Sequence, residues 1–419
     1  MELDFRTLDP NDKSIDHDLL VGYVIAVNRG FHLSRPDERA QEIWIDQVRG
    51  DGARLHGAWL PPDAYGASNV PVATVASWPG ELNTGSQLLP LHMISDVTVS
   101  PASRRQGLAS RLISQDLATA VSEGIPIAAL TVSEGSIYRR FGFGPATFKS
   151  KYEVDVTAQF EFEEFTSSGR FVHLEPAELG DVPDELFARW HATHRGSVSR
   201  SQAYAPFTRG EWSWDEQGPE PKMRAVVHLD ADDQPHGYAL YAHGGWGNDH
   251  TVTVRDMLSL TPEGHLALWD FLAGIDLTDR VVANTFVDNP LPWALVDNRC
   301  VSSKGPIDSI WLRVLDVVTA LEARPWYADG DVVLGISDRL GHAEGNWRVV
   351  TREGRATVSR TEDAAQLSMA VSALGSLYLS SVTTDIMVQT GRVTGDHDAI
   401  ASFAGMCDGG PTPYSQTTF

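Results

Sequence analysis

The chain has 419 residues, 42% of them hydrophobic, with 12 Trp and 15 Phe, enough for two or three domains with cores of their own. A formal charge of −23 argues against a nucleic-acid partner, whose phosphates such a surface repels, and favours cationic ones, which an acidic cleft concentrates. Two cysteines, Cys300 and Cys407, are too few for a disulfide framework, no apolar run approaches a membrane span, and the start lacks a secretory signal, so a soluble cytoplasmic protein with no membrane partner is expected.

Residues 2–7 read as a first strand, and 10–29 as a loop and a helix with Leu19, Leu20, Tyr23, Val24 and Val27 at helical spacing. Residues 36–48 read as a second helix with Ile43, Trp44 and Val48 on its apolar face; Trp44 belongs either to the core or to the wall of a substrate pocket. The Pro-, Gly-, Ala- and Ser-rich stretch 59–69 is a loop, and 70–77 and 88–99 are strands. Val97 and Val99 alternate with Asp96 and Thr98 as in a half-buried strand, and Ser100-Pro101 stops it. A basic, glycine-containing turn then opens onto a helix, 108–123, with Leu108, Leu112, Leu117 and Val121 on one side.

A strand, a loop and a helix N-terminus in succession present unpaired N–H groups and the positive end of the helix dipole, which makes an anion site. Gly107 removes the side chain where a pyrophosphate must approach the main chain, Ala109 keeps the next helical position small, and Arg104 and Arg105 add charge and donors. Neither a Walker loop nor a three-glycine dinucleotide fingerprint is present there. Residues 127–132 are continuously apolar, as suits a strand buried on both faces, and Ser-Glu-Gly-Ser-Ile-Tyr-Arg-Arg-Phe-Gly-Phe follows at 133–143.

Arg104-x-x-Gly107-x-Ala109 resembles the acetyl-CoA loop of the GNAT N-acetyltransferases, and 133–146 is similar to the Eis (enhanced intracellular survival) family within them. The resemblance implies acetyl-CoA as cosubstrate, with Arg104, Arg105, Gln106, Gly107, Leu108 and Ala109 around its pyrophosphate. Val97, Thr98, Val99 and Ser133 complete that site, and Tyr138 faces the sulfur as general acid. No metal is expected: His191 and His194 sit i, i+3 on a helix without matching ligands.

From residue 151 the pattern restarts: an exposed acid and aromatic connection at 159–169, strands at 171–174, 223–229 and 237–243, and a helix at 182–195. The run 251–269 then echoes the strand, Thr-Pro, helix layout of the first half, but Glu263, His265, Leu268 and Trp269 stand where the basic loop was. An acid and bulky side chains there repel and block a pyrophosphate, so this second copy is expected to be degenerate and to bind no cofactor. Strands at 281–286 and 310–315 are expected to finish its sheet, and 311–324 again resembles the Eis family.

Beyond Trp326 the sequence predicts three short antiparallel strands, 331–337, 345–351 and 355–360, a helix from Thr361 carrying Ala365, Leu367, Val371, Leu374 and Leu377, and a last helix at 399–406. Residues 374–379 match the family's third domain, which has a sterol-carrier-like fold. The expected architecture is therefore α/β (α+β). It has two tandem GNAT-like domains, 1–150 and a degenerate 151–315, and a C-terminal sterol-carrier-like α+β domain, 316–419.

Gly409-Gly410-Pro411 leaves an uncharged tail ending at Phe419. By the same resemblance, the tail returns to the N-terminal domain, where the α-carboxylate of Phe419 acts as general base and its ring as an anchor. The family implies N-acetylation of primary amines on cationic small molecules, aminoglycoside-like or polyamine, or on lysine side chains, by a homohexamer. Asp96, where the family often carries an aromatic, and Asp308, before the Trp311 strand, are with Trp44 the candidate acceptor-binding residues; both acids also read as solvated strand ends. The alternative reading is a non-catalytic acyl-CoA or lipid-binding protein that uses the sterol-carrier-like domain.

Overall fold

A computed structural model describes residues 2–157, 159–213, 217–247 and 249–419. The chain divides into two units, one made of Met1–Thr147, Arg195–Ala203 and Ser309–Phe419, the other of Phe148–His194 and Tyr204–Asp308. Among the described residues no helix is long and apolar enough to cross a membrane.

The first unit is built on a seven-stranded sheet ordered Asp4–Leu8, Arg54–Trp59, Ala73–Asn83, Leu88–Val99, Ile127–Thr131, Ile310–Val314 and Gly144–Pro145. Neighbours run antiparallel except Leu88–Val99 and Ile127–Thr131, which are parallel and joined through the helix Leu108–Ser122. Leu108, Leu112, Ile113, Leu117 and Ala120 bury that helix on the sheet. Val121, predicted for the same stripe, is exposed, and Asp116 takes a place on the buried face instead. The strand Arg54–Trp59 is not legible in the sequence because Gly57 interrupts it; a Cβ there would meet the Trp59 indole at 2.5 Å.

Two predicted elements move. Residues 310–315 do not finish the second sheet: Ile310–Val314 enters the first, pairing Ile310 with Thr131 through Val314 with Ile127. All five residues are buried, and the helix Val371–Leu377 lies so close that a Cβ on Gly375 would meet the Leu312 carbonyl oxygen at 2.2 Å. The helix predicted from Thr361 begins only at Val371. Leu367 and Met369 are buried two apart, the period of a strand, and Leu367–Ala370 runs parallel to Gly330–Ser337. This second, five-stranded sheet is ordered Arg355–Arg360, Gly345–Arg352, Gly330–Ser337, Leu367–Ala370 and Val393–Gly395.

The second unit has its own seven-stranded sheet, ordered Val301–Asp308, Phe148–Asp155, Arg280–Thr285, Thr251–Ser259, Pro235–His243, Met223–Leu229 and Arg170–Leu174. The helix predicted to reach residue 195 ends at His191. In the helix Pro262–Ala273, His265, Leu268 and Trp269 are buried in this unit's core rather than standing before the helix start. Trp269 Nε1 donates to His265 Nε2 at 3.1 Å, while Glu263 accepts from the Ser168 hydroxyl.

Asp116 is the polar centre of the first unit. It accepts from His56 Nε2 at 3.1 Å, His92 Nε2 at 2.7 Å and Ser77 Oγ at 2.6 Å. Burial pushes its pKa up, but the bonds and charge of His56 and His92 outweigh that and hold the carboxyl well below the usual carboxylate range. With the folded value depressed, its stabilisation is present above the unfolded value near 4 and is lost as pH falls through the folded one. Asp116→Asn is expected to cost roughly 3–5 kcal/mol and to flatten the acid limb of the stability curve, read from denaturant midpoints between about pH 7 and 3.

Candidate active site

The site begins where the parallel ladder stops. Leu88–Val99 pairs with Ile127–Thr131 from Leu91↔Ile127 to Ile94↔Leu130 and no further. On its other edge the register shifts between Thr74 and Ala76, so that two residues, Asp96 and Val97, stand opposite Val75, and Asp96 takes a positive φ of 52°. Thr74 Oγ1 donates to the Asp96 carbonyl at 2.6 Å, so the 2.7 Å contact between the Thr74 and Thr98 hydroxyls is a bond that Thr98 donates. This bulge inverts the predicted alternation. Thr98 is buried, and Val97 and Val99 are only partly so.

Past the strand, Arg104, Arg105, Gln106 and Gly107 are all exposed. Arg105 and Gly107 have φ of 64° and 77°, and Gly107 opens the helix Leu108–Ser122 with no side-chain cap. A Cβ on Gly107 would meet nothing within 4 Å, so the helix start faces open space, the room a pyrophosphate needs to reach the first-turn amides. Leu108 is buried and Ala109 partly so, while Ser133 is exposed on the connection after Ile127–Thr131. These residues fit an acyl-CoA diphosphate. Among the described residues no group of three or more His, Cys, Asp or Glu could hold a metal ion.

Tyr138 ends the short helix Gly135–Tyr138 and is buried, edge-on to Phe143 with ring centroids 6.5 Å apart. Burial, then the charge of Glu134, push its pKa up to about 12, so the phenol holds its proton at neutral pH. Phe419 reaches the same end of the sheet: its main-chain oxygen accepts from the Thr131 hydroxyl, and its ring stands edge-on to Trp78 with centroids 5.7 Å apart. The tail is fixed upstream as well. Tyr414 N donates to the Arg195 carbonyl at 3.0 Å, and the buried Thr417 donates through Oγ1 to the Val198 carbonyl at 2.8 Å. Residues 196–199 are in turn bonded to Glu81 and Asn83.

Of the acceptor-side candidates, Trp44 and Asp96 come together. The Trp44 indole N–H donates to the Asp96 carboxyl and its ring stacks on Tyr23 at 5.7 Å. Burial pushes the Asp96 pKa up to about 6, with the Trp44 bond acting against it, and burial with the Asp96 charge pushes Tyr23 well up. Asp308 lies in the second unit, opposite Phe148 at the end of Val301–Asp308, where its charge partly offsets the burial that lowers the Lys149 pKa. Sequence reasoning missed Thr131, Trp78 and Tyr23 as site residues: Thr131 and Tyr23 sit in apolar runs, where core is the ordinary reading, and Trp78 stands between Ser77 and Pro79, just past the strand read from the sequence.

One parallel strand pair that opens beside an uncapped, glycine-started helix defines an acyl-CoA-binding acetyltransferase fold, and the acetyltransferase (GNAT) domain family matches residues 21–146 and, separately, 196–314. A sterol carrier protein domain matches 317–416. The chain is 32% identical over 406 residues to an uncharacterized N-acetyltransferase of Streptomyces griseus, covering 94% of this chain and 93% of that one. It is 31% identical over 330 residues to the N-acetyltransferase Eis of Mycobacterium tuberculosis, covering 74% and 75%. The crystal structure of Eis1 from Mycobacterium abscessus superposes with a TM-score of 0.81 over 100% of both chains at 24% identity. The chain therefore belongs to the Eis-like N-acetyltransferases, with two GNAT domains followed by a sterol-carrier domain.

Thr417→Val removes a buried side-chain bond of the tail and leaves the Val198 carbonyl without it, a loss of roughly 1–3 kcal/mol felt by the tail. The expected outcome is faster trimming of the C-terminus by carboxypeptidase with an unchanged global melting temperature. Equal protection of both proteins would show that the tail is held by other contacts.

Proposed function

We propose that this N-acetyltransferase moves the acetyl group of acetyl-CoA to a primary amine of a cationic small molecule, polyamine or aminoglycoside-like, or of a lysine side chain. Tyr138 serves as general acid and the α-carboxylate of Phe419 as general base. The observation that carries the reading is the seating of Phe419 at the end of Ile127–Thr131, its ring on Trp78 and its main-chain oxygen on Thr131. In this reading Arg104, Arg105, Gln106, Gly107, Leu108 and Ala109 hold the diphosphate, and Val97, Thr98, Val99 and Ser133 flank the acyl arm.

Acetyl-CoA supplies an activated thioester; the chain supplies geometry and proton traffic. An alkyl amine, with a pKa near 10 for a lysine-like group, is protonated at neutral pH and cannot attack. The carboxylate takes that proton, directly or through water. Backbone N–H groups on the opened edge of the strand past Ile94 meet the carbonyl oxygen as it gains charge. The amine nitrogen bonds to the carbonyl carbon, the carbon–sulfur bond breaks as Tyr138 gives its proton to the leaving sulfur, and the second proton shed by the new amide nitrogen restores the phenol. A phenol at about 12 is a weak acid by the standards of water, but the burial that raises it also penalises a bare thiolate beside it, which narrows the gap between them.

Asp96, with Trp44 beside it, is proposed as the group that receives the acceptor's positive charge. Its pKa of about 6 makes it neutral below that pH and anionic above. Affinity for a diamine is therefore expected to rise as pH climbs through 6, and Asp96→Asn to raise its KM about tenfold and remove that rise. Steady-state kinetics from about pH 5 to 8 read both, and an unaltered pH profile in the variant rejects the role.

Tyr138→Phe is expected to lower kcat by roughly 10²–10⁴ with little change in the KM for acetyl-CoA. A short Gly-Ser extension behind Phe419, which turns the carboxylate into an amide, is expected to do the same at unchanged melting temperature. Thiol release and product mass with a panel of amines measure both. Full turnover in the extended protein would remove the base from the mechanism, and full turnover in Tyr138→Phe would remove the acid.

A further inference from the structure

Apart from the acetyl-transfer site, the first unit holds a cavity of about 460 Å³ between the turn after Tyr138, the turn after the strand Gly330–Ser337 and the start of the helix Val371–Leu377. Arg139, Arg140 and Arg339 line it, with Ser372 on the far wall. A fourth arginine, Arg392, donates through Nη2 to that Ser372 hydroxyl at 3.2 Å. Burial lowers the Arg392 pKa and the charge of Arg139 lowers it further, so these two guanidinium groups act on each other across a poorly screened gap.

Among the described residues none of the four arginines forms an ion pair. Arg140 Nε donates to the Ile137 carbonyl at 3.1 Å, and the Arg139 guanidinium lies 5.8 Å from the Trp311 ring centre. Of the two acids in the wall, Asp338 and Glu344, the first is committed elsewhere. Asp338 is bound by the fully buried Arg313, whose Nη2 donates to its two oxygens at 3.0 and 2.8 Å, and by the amides of Leu340 and Ala343 at 3.1 and 3.0 Å. Glu344 is exposed and makes no ion pair among the described residues. In a chain with 56 acidic and 33 basic residues, three arginines on one cavity wall and a fourth bonded to its Ser372 run against the composition.

We propose that this cavity is a binding site for a small phosphoryl-bearing anion, held by the guanidinium groups of Arg139, Arg140, Arg339 and Arg392. The cavity has room for a compact polyanion, and several fixed positive charges match a multiply charged group better than a single carboxylate. A phosphoryl group brings nearly two charges and three acceptor oxygens. Because Arg139 follows Tyr138 directly, an anion seated there ties the turn bearing the phenol to the strands and helix of the sterol-carrier part.

Inorganic pyrophosphate is the probe, titrated calorimetrically into the full chain at low salt with and without saturating acetyl-CoA. Saturable binding that survives acetyl-CoA is expected, weakened about tenfold or more in Arg339→Gln/Arg392→Gln while the KM for acetyl-CoA stays within about twofold. Should the double variant fail to fold, Arg339→Gln alone, at an exposed position, is expected to weaken binding several-fold. No saturable binding in the wild type, or equal binding in the variants, would overturn the site. So would displacement by acetyl-CoA, which assigns the phosphate contacts to the cosubstrate.

Discussion

The candidate active site depends on a break in one hydrogen-bonded ladder. Once Ile94 has paired with Leu130, the extra residue at Asp96 turns the strand away from its parallel neighbour. A non-glycine residue at φ 52° costs on the order of 1–2 kcal/mol, and the structure holds it there with the Thr74 hydroxyl on the Asp96 carbonyl and the Thr98 hydroxyl on Thr74. Three consequences share this cause. A strand edge is left without a ladder partner, the Asp96 side chain is delivered to Trp44 and Tyr23, and the far end of Ile127–Thr131 can hold Phe419 through Thr131.

The tail reaches that place by main-chain bonding, anchored by two buried arginines. Arg324 donates to the Cys407 carbonyl at 2.5 Å and the Leu377 carbonyl at 3.2 Å, and Arg195 to the Gly409 carbonyl at 2.6 Å and the Tyr327 hydroxyl at 2.9 Å. Cys407 ends the helix His397–Cys407, where carbonyls lacking intrahelical donors favour a cation. Fixing the chain at 407 and 409 aims the remaining residues along 195–198, and that segment is already stitched to Ala73–Asn83 through Asn83 and Glu81. An uncharged tail suits such a path, since each buried charge along it would need a partner of its own.

What was legible in the sequence followed from patterns that local physics enforces. The helix after Gly107, the apolar strand at 127, the hairpin strands beyond Trp326 and the Thr-Pro echo at 261 all stand close to where periodicity and turn residues put them. Placement across the chain was not legible. Ile310–Val314 and Phe148–Asp155 are apolar or alternating runs that fit either seven-stranded sheet, and nothing within them says which one they join. The bulge was equally hidden, because Asp96, Val97, Thr98 and Val99 alternate regularly in sequence; only the partner strand, one residue shorter at Val75, reveals the extra residue. Leu367 shows the same limit: its spacing to Leu374 fits a helix, and the neighbouring strand Gly330–Ser337 claims it through Leu334.

The two GNAT copies differ in how the corresponding helix start is satisfied. In the first, Gly107 at φ 77° offers no side-chain oxygen and leaves the helix facing open space. In the second, Thr261 Oγ1 accepts from the Gly264 amide at 3.2 Å, and Glu263 adds a carboxylate to the first turn, which complements the dipole from within the chain. A cap of that kind is worth about 1 kcal/mol to its own domain, and it fills the place an incoming phosphate oxygen takes. Self-capping and phosphate binding thus compete for the same amide donors. The bulky residues after Thr261 are then left to the core, where His265, Leu268 and Trp269 pack.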